Sequence, residues 1–226
     1  MEASFWDGKR APGVNDTVDV TQYNAVVEVI EQAFKKYADK PAFTSIGLTM
    51  TYKQIDEYSA AFAHYLQNHT NLKPGDTIAI QMPNTLQYPI AMYGALRCGL
   101  RVTNVNPLYT EREMQHQFND SGAKALVCME MFARSVQNVV DKTGIETVIV
   151  TSLADMLPTV KRTLINFAVK HVKKMVPAYS LPKAVSFRKA LKLGAGKSFE
   201  ANYMRDPQDT IILQYTGGTT GVAKGA

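Results

Sequence analysis

Thr77-Ile-Ala-Ile-Gln-Met-Pro-Asn-Thr-Leu-Gln-Tyr-Pro-Ile-Ala-Met-Tyr-Gly-Ala-Leu-Arg-Cys-Gly-Leu-Arg-Val-Thr-Asn104 is the stretch on which the fold turns. Its first residues, Thr77 to Met82, are apolar and β-branched enough for a buried strand, entered through the turn Lys73-Pro-Gly-Asp76. Its last four, Arg101 to Asn104, read as a second short strand. Between them Asn84 reads as the cap of a helix through Arg97, and Gly99 stands where a left-handed stop belongs. Two strands joined by a helix rather than a tight turn lie parallel.

The same grammar extends both ways. Thr51-Tyr-Lys-Gln54 is a capping box opening a helix to about Gln67. Thr110-Glu-Arg-Glu113 is a second capping box, and its helix ends at Gly122. Ala125 to Met129 and Thr147 to Val150 read as strands on either side of a helix from Phe132 to Thr143. The expectation is an α/β fold: a largely parallel sheet with helices on both faces.

Composition narrows the class. With 46% hydrophobic and 20% charged residues in 226, the chain can bury a core, which excludes disordered, collagen-like and disulfide-scaffold proteins. Cys98 and Cys128 have no metal spacing, and reduced thiols in a cytoplasmic protein are the plain expectation. Apolar runs such as Ile90 to Leu96 are shorter than the ~18–20 residues of a membrane span, and Met1 to Lys9 lacks a signal-peptide core.

The net charge of +5 is unevenly placed. From 157 to 200 ten Lys and Arg face one acid, Glu200, so that stretch carries +9 and the remainder −4. This reads as a basic insert rather than a nucleic-acid-binding protein. Within it Leu164, Ile165, Ala168, Val169, Val172, Met175 and Val176 share one helical arc, with Asn166, Lys170, Lys173 and Lys174 opposite. Such a helix either packs its stripe on its own domain or lies on an anionic membrane, with Lys170, Lys173 and Lys174 at the surface.

Two segments suggest phosphate binding. Gly194-Ala-Gly-Lys-Ser198 resembles the end of a P-loop, but Leu191 stands where the first glycine belongs. The stronger one is Tyr215-Thr-Gly-Gly-Thr-Thr-Gly-Val-Ala-Lys-Gly-Ala226, after the strand-like Thr210 to Gln214. Gly217, Gly218, Gly221 and Gly225 free the backbone to bring N–H groups to an anion. Thr216, Thr219 and Thr220 add hydroxyls, and Lys224 adds a point charge. Thr219 or Thr220 could also ligate Mg²⁺.

This run resembles the phosphate-binding signature of the adenylate-forming superfamily, which includes acyl-CoA and aryl-CoA ligases, luciferases and peptide-synthetase adenylation domains. With Gly217 at a position often held by Ser and Ala223 in place of Pro, it looks like the version in bacterial long-chain fatty-acyl-CoA synthetases. Met50-Thr-Tyr52, Met82-Pro-Asn84, Gln87-Tyr-Pro89, Asn104-Val-Asn-Pro-Leu-Tyr-Thr110 with Glu113, Asn119-Asp-Ser-Gly122, Val176 to Pro182 and Ser186-Phe-Arg188 are similar to the same family. Most of these have structural explanations: Asn84 and Thr110 as helix caps, Pro107 in a turn, Tyr52 and Tyr109 in packing.

The resemblance implies that residues 1–226 are the N-terminal portion of the synthetase large domain, with the C-terminal domain absent. It implies a fatty acid, ATP and coenzyme A as substrates, Mg²⁺ as cofactor, and a cytoplasmic enzyme, peripheral on the inner membrane if the basic helix binds lipid. Tyr215, Thr216, Gly217, Gly218, Thr219, Thr220, Gly221, Val222, Ala223, Lys224, Gly225 and Ala226 are the expected ATP site. No catalytic residue is expected within the chain, and alone it is expected to be inactive. The alternatives are another acyl- or aryl-CoA ligase of that superfamily, or a non-enzymatic membrane-surface or protein-binding module.

Overall fold

Strand Thr77–Gln81 (β3) is buried along its whole length and lies at the centre of a seven-stranded sheet. A computed structural model describes residues 9, 11–14, 22–204, 206, 208–216 and 223–226. The sheet runs β7-β6-β5-β3-β4-β8-β9, where β4 is Arg101–Asn104, β5 Ala123–Met129, β6 Thr147–Thr151, β7 Val185–Ser186, β8 Ile212–Thr216 and β9 Lys224–Gly225. Every pairing from β7 to β8 is parallel, and only β8–β9 is antiparallel. A separate antiparallel hairpin pairs β1 (Pro41–Ser45) with β2 (Leu48–Thr51).

Alternation along β3 divides the core between two faces. Ile78 and Ile80 pack with helices α2 (Tyr52–His69), α3 (Gln87–Arg97) and α7 (Phe187–Gly194). Ala79 joins the opposite cluster, with Met114 and Phe118 of α4 (Glu111–Asp120) and Val136 and Val139 of α5 (Ala133–Val139). Helices therefore cover both faces, as the β-α-β pattern requires. Both capping boxes form: Gln54 N donates to Thr51 Oγ1 and Glu113 N to Thr110 Oγ1, each answered by the glutamine or glutamate side chain. Gly99 and Gly122 end their helices at φ of +71° and +62°.

Asn84 is a correction. The helix starts three residues later at Gln87, and Leu86 occupies the cap position without a side-chain bond. Pro89 explains the shift. A helix capped by Asn84 would put Pro89 where an N–H must bond the preceding turn, whereas starting at Gln87 puts it in the first turn, where no N–H is needed.

Helix α1 (Val26–Lys36) leans on α2 and α3 around a buried cation. Arg97 is 3% exposed and donates to the Asp56 carbonyl at 3.0 Å, Ser59 Oγ at 2.9 Å and the Asp56 carboxylate. Glu31 lies 3.4 Å from its Nε, and the rings of Phe34 and Phe199 flank the guanidinium. A charge this deep is tolerable only with such partners. Tyr203 donates to Glu31, Glu200 N donates to Gln67, and Asn202 N donates to the Arg97 carbonyl, which leads the chain back towards β8.

The basic stretch is partly woven into this body, since β7 extends the parallel sheet and α7 packs against α2. Its amphipathic segment is arranged differently from the sequence arc. Helix α6 (Thr159–Phe167) continues into a π turn at Ala168–Val172. Val169 and Val176 are buried and Ile165 is half-buried, but Leu164, Val172 and Met175 are exposed. Asn166, expected outside, faces in: its Oδ1 accepts from Ala154 N at 2.9 Å.

Both cysteines are free and buried. Burial pushes each thiol up to about 12, so at pH 8 only about one molecule in ten thousand carries a given thiolate. Ellman's reagent should therefore find no thiol in the folded chain at pH 8 and both after denaturation. Rapid labelling of the native protein would contradict the packing around β5 and the end of α3.

Candidate functional site

The order of the strands places the site. From β3 the chain moves one way to β4, then returns across β3 to β5, so α3 and α4 leave on opposite faces of the sheet. In open parallel sheets a ligand crevice forms at such a reversal, beyond the carboxyl ends of the strands. Here those ends carry Gln81, Asn104 and Thr216, because β8 lies beside β4 in the register Asn104↔Gln214.

Polar side chains tie these strand ends together. Tyr88 of α3 donates to Asn104 Oδ1 at 3.0 Å, and Asn104 Nδ2 donates to Gln214 Oε1 at 3.4 Å. Gln117 of α4 donates to Thr103 Oγ1 at 2.8 Å and to the Asn104 carbonyl at 2.9 Å. Thr103 in turn donates to the Leu213 carbonyl at 3.2 Å. Asn106 accepts from Leu108 N and Tyr109 N, so Asn106-Pro-Leu-Tyr109 turns tightly after β4.

The glycine–threonine run leaves β8 and returns as β9. Tyr215 pairs with Gly225 and Thr216 with Lys224, while Gln214 and Ala226 exchange two bonds of 3.0 Å. Thr216 and Lys224 thus face one another across the base of the loop, both exposed. Gly217, Gly218, Thr219, Thr220, Gly221 and Val222 lie outside the described residues.

Helix α4 holds both legs of this hairpin. Tyr215 OH donates to Asp120 Oδ2 at 2.6 Å, and its ring is buried. Burial, with the Asp120 carboxylate beside it, pushes the phenol pKa up, so the bond keeps its proton. His116 Nε2 lies 3.0 Å from the Ala223 carbonyl; a carbonyl only accepts, so Nε2 carries the hydrogen. Gly225 passes so close to the Tyr215 ring that a Cβ there would meet it at 2.9 Å. Three positions of the run, Tyr215, Ala223 and Gly225, are therefore explained by anchoring, and Thr216 and Lys224 are left free to meet a ligand.

His116 and Asp120 carry no motif in the sequence, although they stand four apart on one face of α4 opposite Met114 and Phe118. A polar pair at that spacing on an amphipathic helix is the one signal that could have found them. A wide cavity of about 1020 Å³ lies elsewhere, between α2, α6 and α7, lined by Met50, Tyr58, Leu157, Arg162, Arg188 and Lys192. The P-loop-like Gly194-Ala-Gly-Lys-Ser198 has a packing reason instead: a Cβ at Gly194 would lie 1.9 Å from the Ala61 carbonyl oxygen.

Residues 30–226 match the family described as AMP-binding enzyme. The chain belongs to this family. Among curated AMP-binding relatives, a long-chain-fatty-acid–CoA ligase of Escherichia coli O157:H7 is 49% identical over 98% of this chain. One of Haemophilus influenzae is 45% identical, again over 98%. The chain spans 39% of the length of each. Among solved structures, a long-chain-fatty-acid–CoA ligase from Archaeoglobus fulgidus superposes with a TM-score of 0.67 at 24% identity, over 89% of this chain and 36% of that one. An anthranilate CoA ligase solved with anthranoyl-AMP gives 0.71 at 17%, over 89% and 34%. The likeness to these two solved structures is one of fold.

Proposed function

We propose that this chain carries the triphosphate-binding part of an ATP-dependent ligase that converts long-chain fatty acids to acyl-CoA. One observation carries the reading. The signature loop is pinned by α4 at the carboxyl end of β8, beside the sheet's reversal, with Lys224 and Thr216 at its mouth. The identity to long-chain-fatty-acid–CoA ligases supports the choice of acid.

In the proposed reaction a carboxylate oxygen attacks the α-phosphorus of ATP, the bond to the bridging oxygen breaks, and pyrophosphate leaves. The thiol of coenzyme A then attacks the acyl carbon of the adenylate; AMP departs, and the thiol proton is lost to solvent. The first step brings two anions together, so its barrier is largely electrostatic. Loop N–H groups, the Thr216 hydroxyl and the Lys224 ammonium would hold the β- and γ-phosphates in line, and α4 would keep that cradle from moving.

Mg²⁺ is a separate matter. Among the described residues there is no group of three His, Cys, Asp or Glu that could hold a metal ion. The described donors do not fit a protein-built site. A magnesium arriving on the triphosphate would be met by the hydroxyl of Thr219 or Thr220. The two buried thiols suit the cytoplasmic setting proposed for such an enzyme.

The test is a pair of measurements. A chain of the relatives' full length should release pyrophosphate with palmitate and, at best weakly, with acetate or benzoate. The 226-residue chain alone should give no turnover, and calorimetry should find ATP affinity weaker than micromolar. Preference for benzoate would move the assignment to an aryl ligase, and micromolar binding by the 226-residue chain would contradict the weak affinity proposed for it.

A further inference from the structure

The cleft between α2, α6 and α7 has no part in the ligase reading, yet its lining is selective. Its volume, about 1020 Å³, is of the size that small-molecule sites reach. Arg162 of α6 and Arg188, Lys189 and Lys192 of α7 bring four cations to it. Its acids are Glu57 and Asp155. Asp155 is buried, and its carboxylate accepts from Thr151 Oγ1 at 3.0 Å and Ser152 N at 2.8 Å. Arg188 donates to the Asp155 carbonyl at 2.8 Å, while none of Arg162, Lys189 and Lys192 is paired with an acid among the described residues. Unpaired charges of one sign around a concave surface focus the field that an incoming anion meets.

We infer that this cleft is a further binding site, for a ring-bearing organic phosphate of nucleotide size. The phosphate end lies at the α6 wall. That helix starts at Thr159 without a side-chain cap, so the free N–H groups of its first turn lie where Pro158 and Thr159 line the cleft. Arg162, half-buried, stands three residues on from Thr159 along the same face. The body end lies against β2 and α2. Met50, Ala61 and Leu191 are buried in the floor, and Tyr58 is 37% exposed beside them, which gives a ring a surface to stack on.

The P-loop-like run reaches the same place. Gly194 is accounted for by its packing on Ala61, but Ala195 and Gly196 line the cleft, and a Cβ at Gly196 would meet nothing within 4 Å. The backbone there is open to a ligand. Cations on both the α6 and α7 walls match a phosphate carrying nearly two charges, whereas a single carboxylate would leave most of them unanswered. The site is separate from the glycine–threonine loop and does not rest on the ligase reading.

Fluorescence titration with N-methylanthraniloyl-GMP tests it. GMP lacks the β- and γ-phosphates that the glycine–threonine loop is proposed to hold, so the signal separates the two sites. The 226-residue chain should bind the probe with a Kd of roughly 10⁻⁴ M, and unlabelled GMP should displace it. Inorganic phosphate and guanosine, each carrying one part of what is recognised, should displace it at least about tenfold less well. Lys189→Gln with Lys192→Gln, and separately Arg162→Gln, should weaken binding about tenfold, and Tyr58→Ala about threefold. The two lysines are exposed, so their variant should keep its melting temperature. No saturable binding, equal binding by the lysine variant, or displacement by inorganic phosphate as readily as by GMP would overturn the proposal. Displacement by polyglutamate at lower concentration than GMP would make the cleft a protein-docking groove. Loss of binding in a chain of the relatives' full length would mean that the rest of the protein fills it. Either result would overturn the proposal equally.

Discussion

Lys224→Ala, made in a chain of the relatives' full length, should lower the rate of acyl-adenylate formation by roughly 10²–10³. Lys224 lies opposite Thr216 at the mouth of a hairpin, is exposed, and has no acidic partner among the described residues. A lysine in such a place is not needed to hold the fold, so the variant should melt with the unaltered protein. Its loss should appear in the step that joins carboxylate to ATP and not in thioester formation from a supplied acyl-adenylate. That split separates a charge acting on the triphosphate from general damage to the site. Equal rates from lysine and alanine enzymes in the adenylation half-reaction would take Lys224 out of the chemistry.

His116→Ala is the companion measurement, because His116 bonds the Ala223 carbonyl in one leg of the hairpin. Losing its bond to the Ala223 carbonyl frees one leg of the hairpin. The cost should be smaller, about tenfold, and should fall mainly on the KM for ATP. A His116→Gln enzyme can still donate to that carbonyl and should recover part of the loss. An effect as large as that of Lys224→Ala would mean that His116 does more than position the loop.

The parts legible in the sequence are those with local causes. Both capping boxes, the left-handed stops at Gly99 and Gly122 and the central strands are readable because each is decided within a few residues. The β1–β2 hairpin is not, since its turn places Ile46 at φ +51° before Gly47 at +71°, and isoleucine is a rare choice for a left-handed position. Asn84 misleads because a good cap residue is overruled by the proline five residues on. The signature loop can be read from composition, but its supports cannot. Tyr215 meets Asp120 across 95 positions and His116 meets Ala223 across 107, and no short window holds such pairs. The orientation of α6 is hidden for a similar reason. Periodicity finds a stripe, whereas the side that faces inward depends on what the body offers, here the Ala154 amide that bonds Asn166.

Gly194→Ala should be the most damaging single methyl in the described fold, costing roughly 3 kcal/mol or more of a total stability on the order of 5–15 kcal/mol. Helix α2 runs between two neighbours that both reach it through glycine. On the α3 side a Cβ at Gly94 would come within 2.9 Å of the Ser59 carbonyl oxygen and Phe62; on the α7 side a Cβ at Gly194 would sit 1.9 Å from the Ala61 carbonyl oxygen. Backbone cannot swing aside as a side-chain tip can, so α7 would have to lift as a body. Lifting it pulls Phe187 from Phe62, two fully buried rings with centroids 5.2 Å apart. Gly47→Ala supplies the control. It has a left-handed φ of +71° but open space around it, so it should cost only the conformational term of about 1 kcal/mol. Urea unfolding of the two variants separates a steric cause from a dihedral one. If Gly194→Ala unfolded within about 0.5 kcal/mol of the unaltered chain, α7 would not be seated on α2, and the packing that carries the sheet's front face would have to be redrawn.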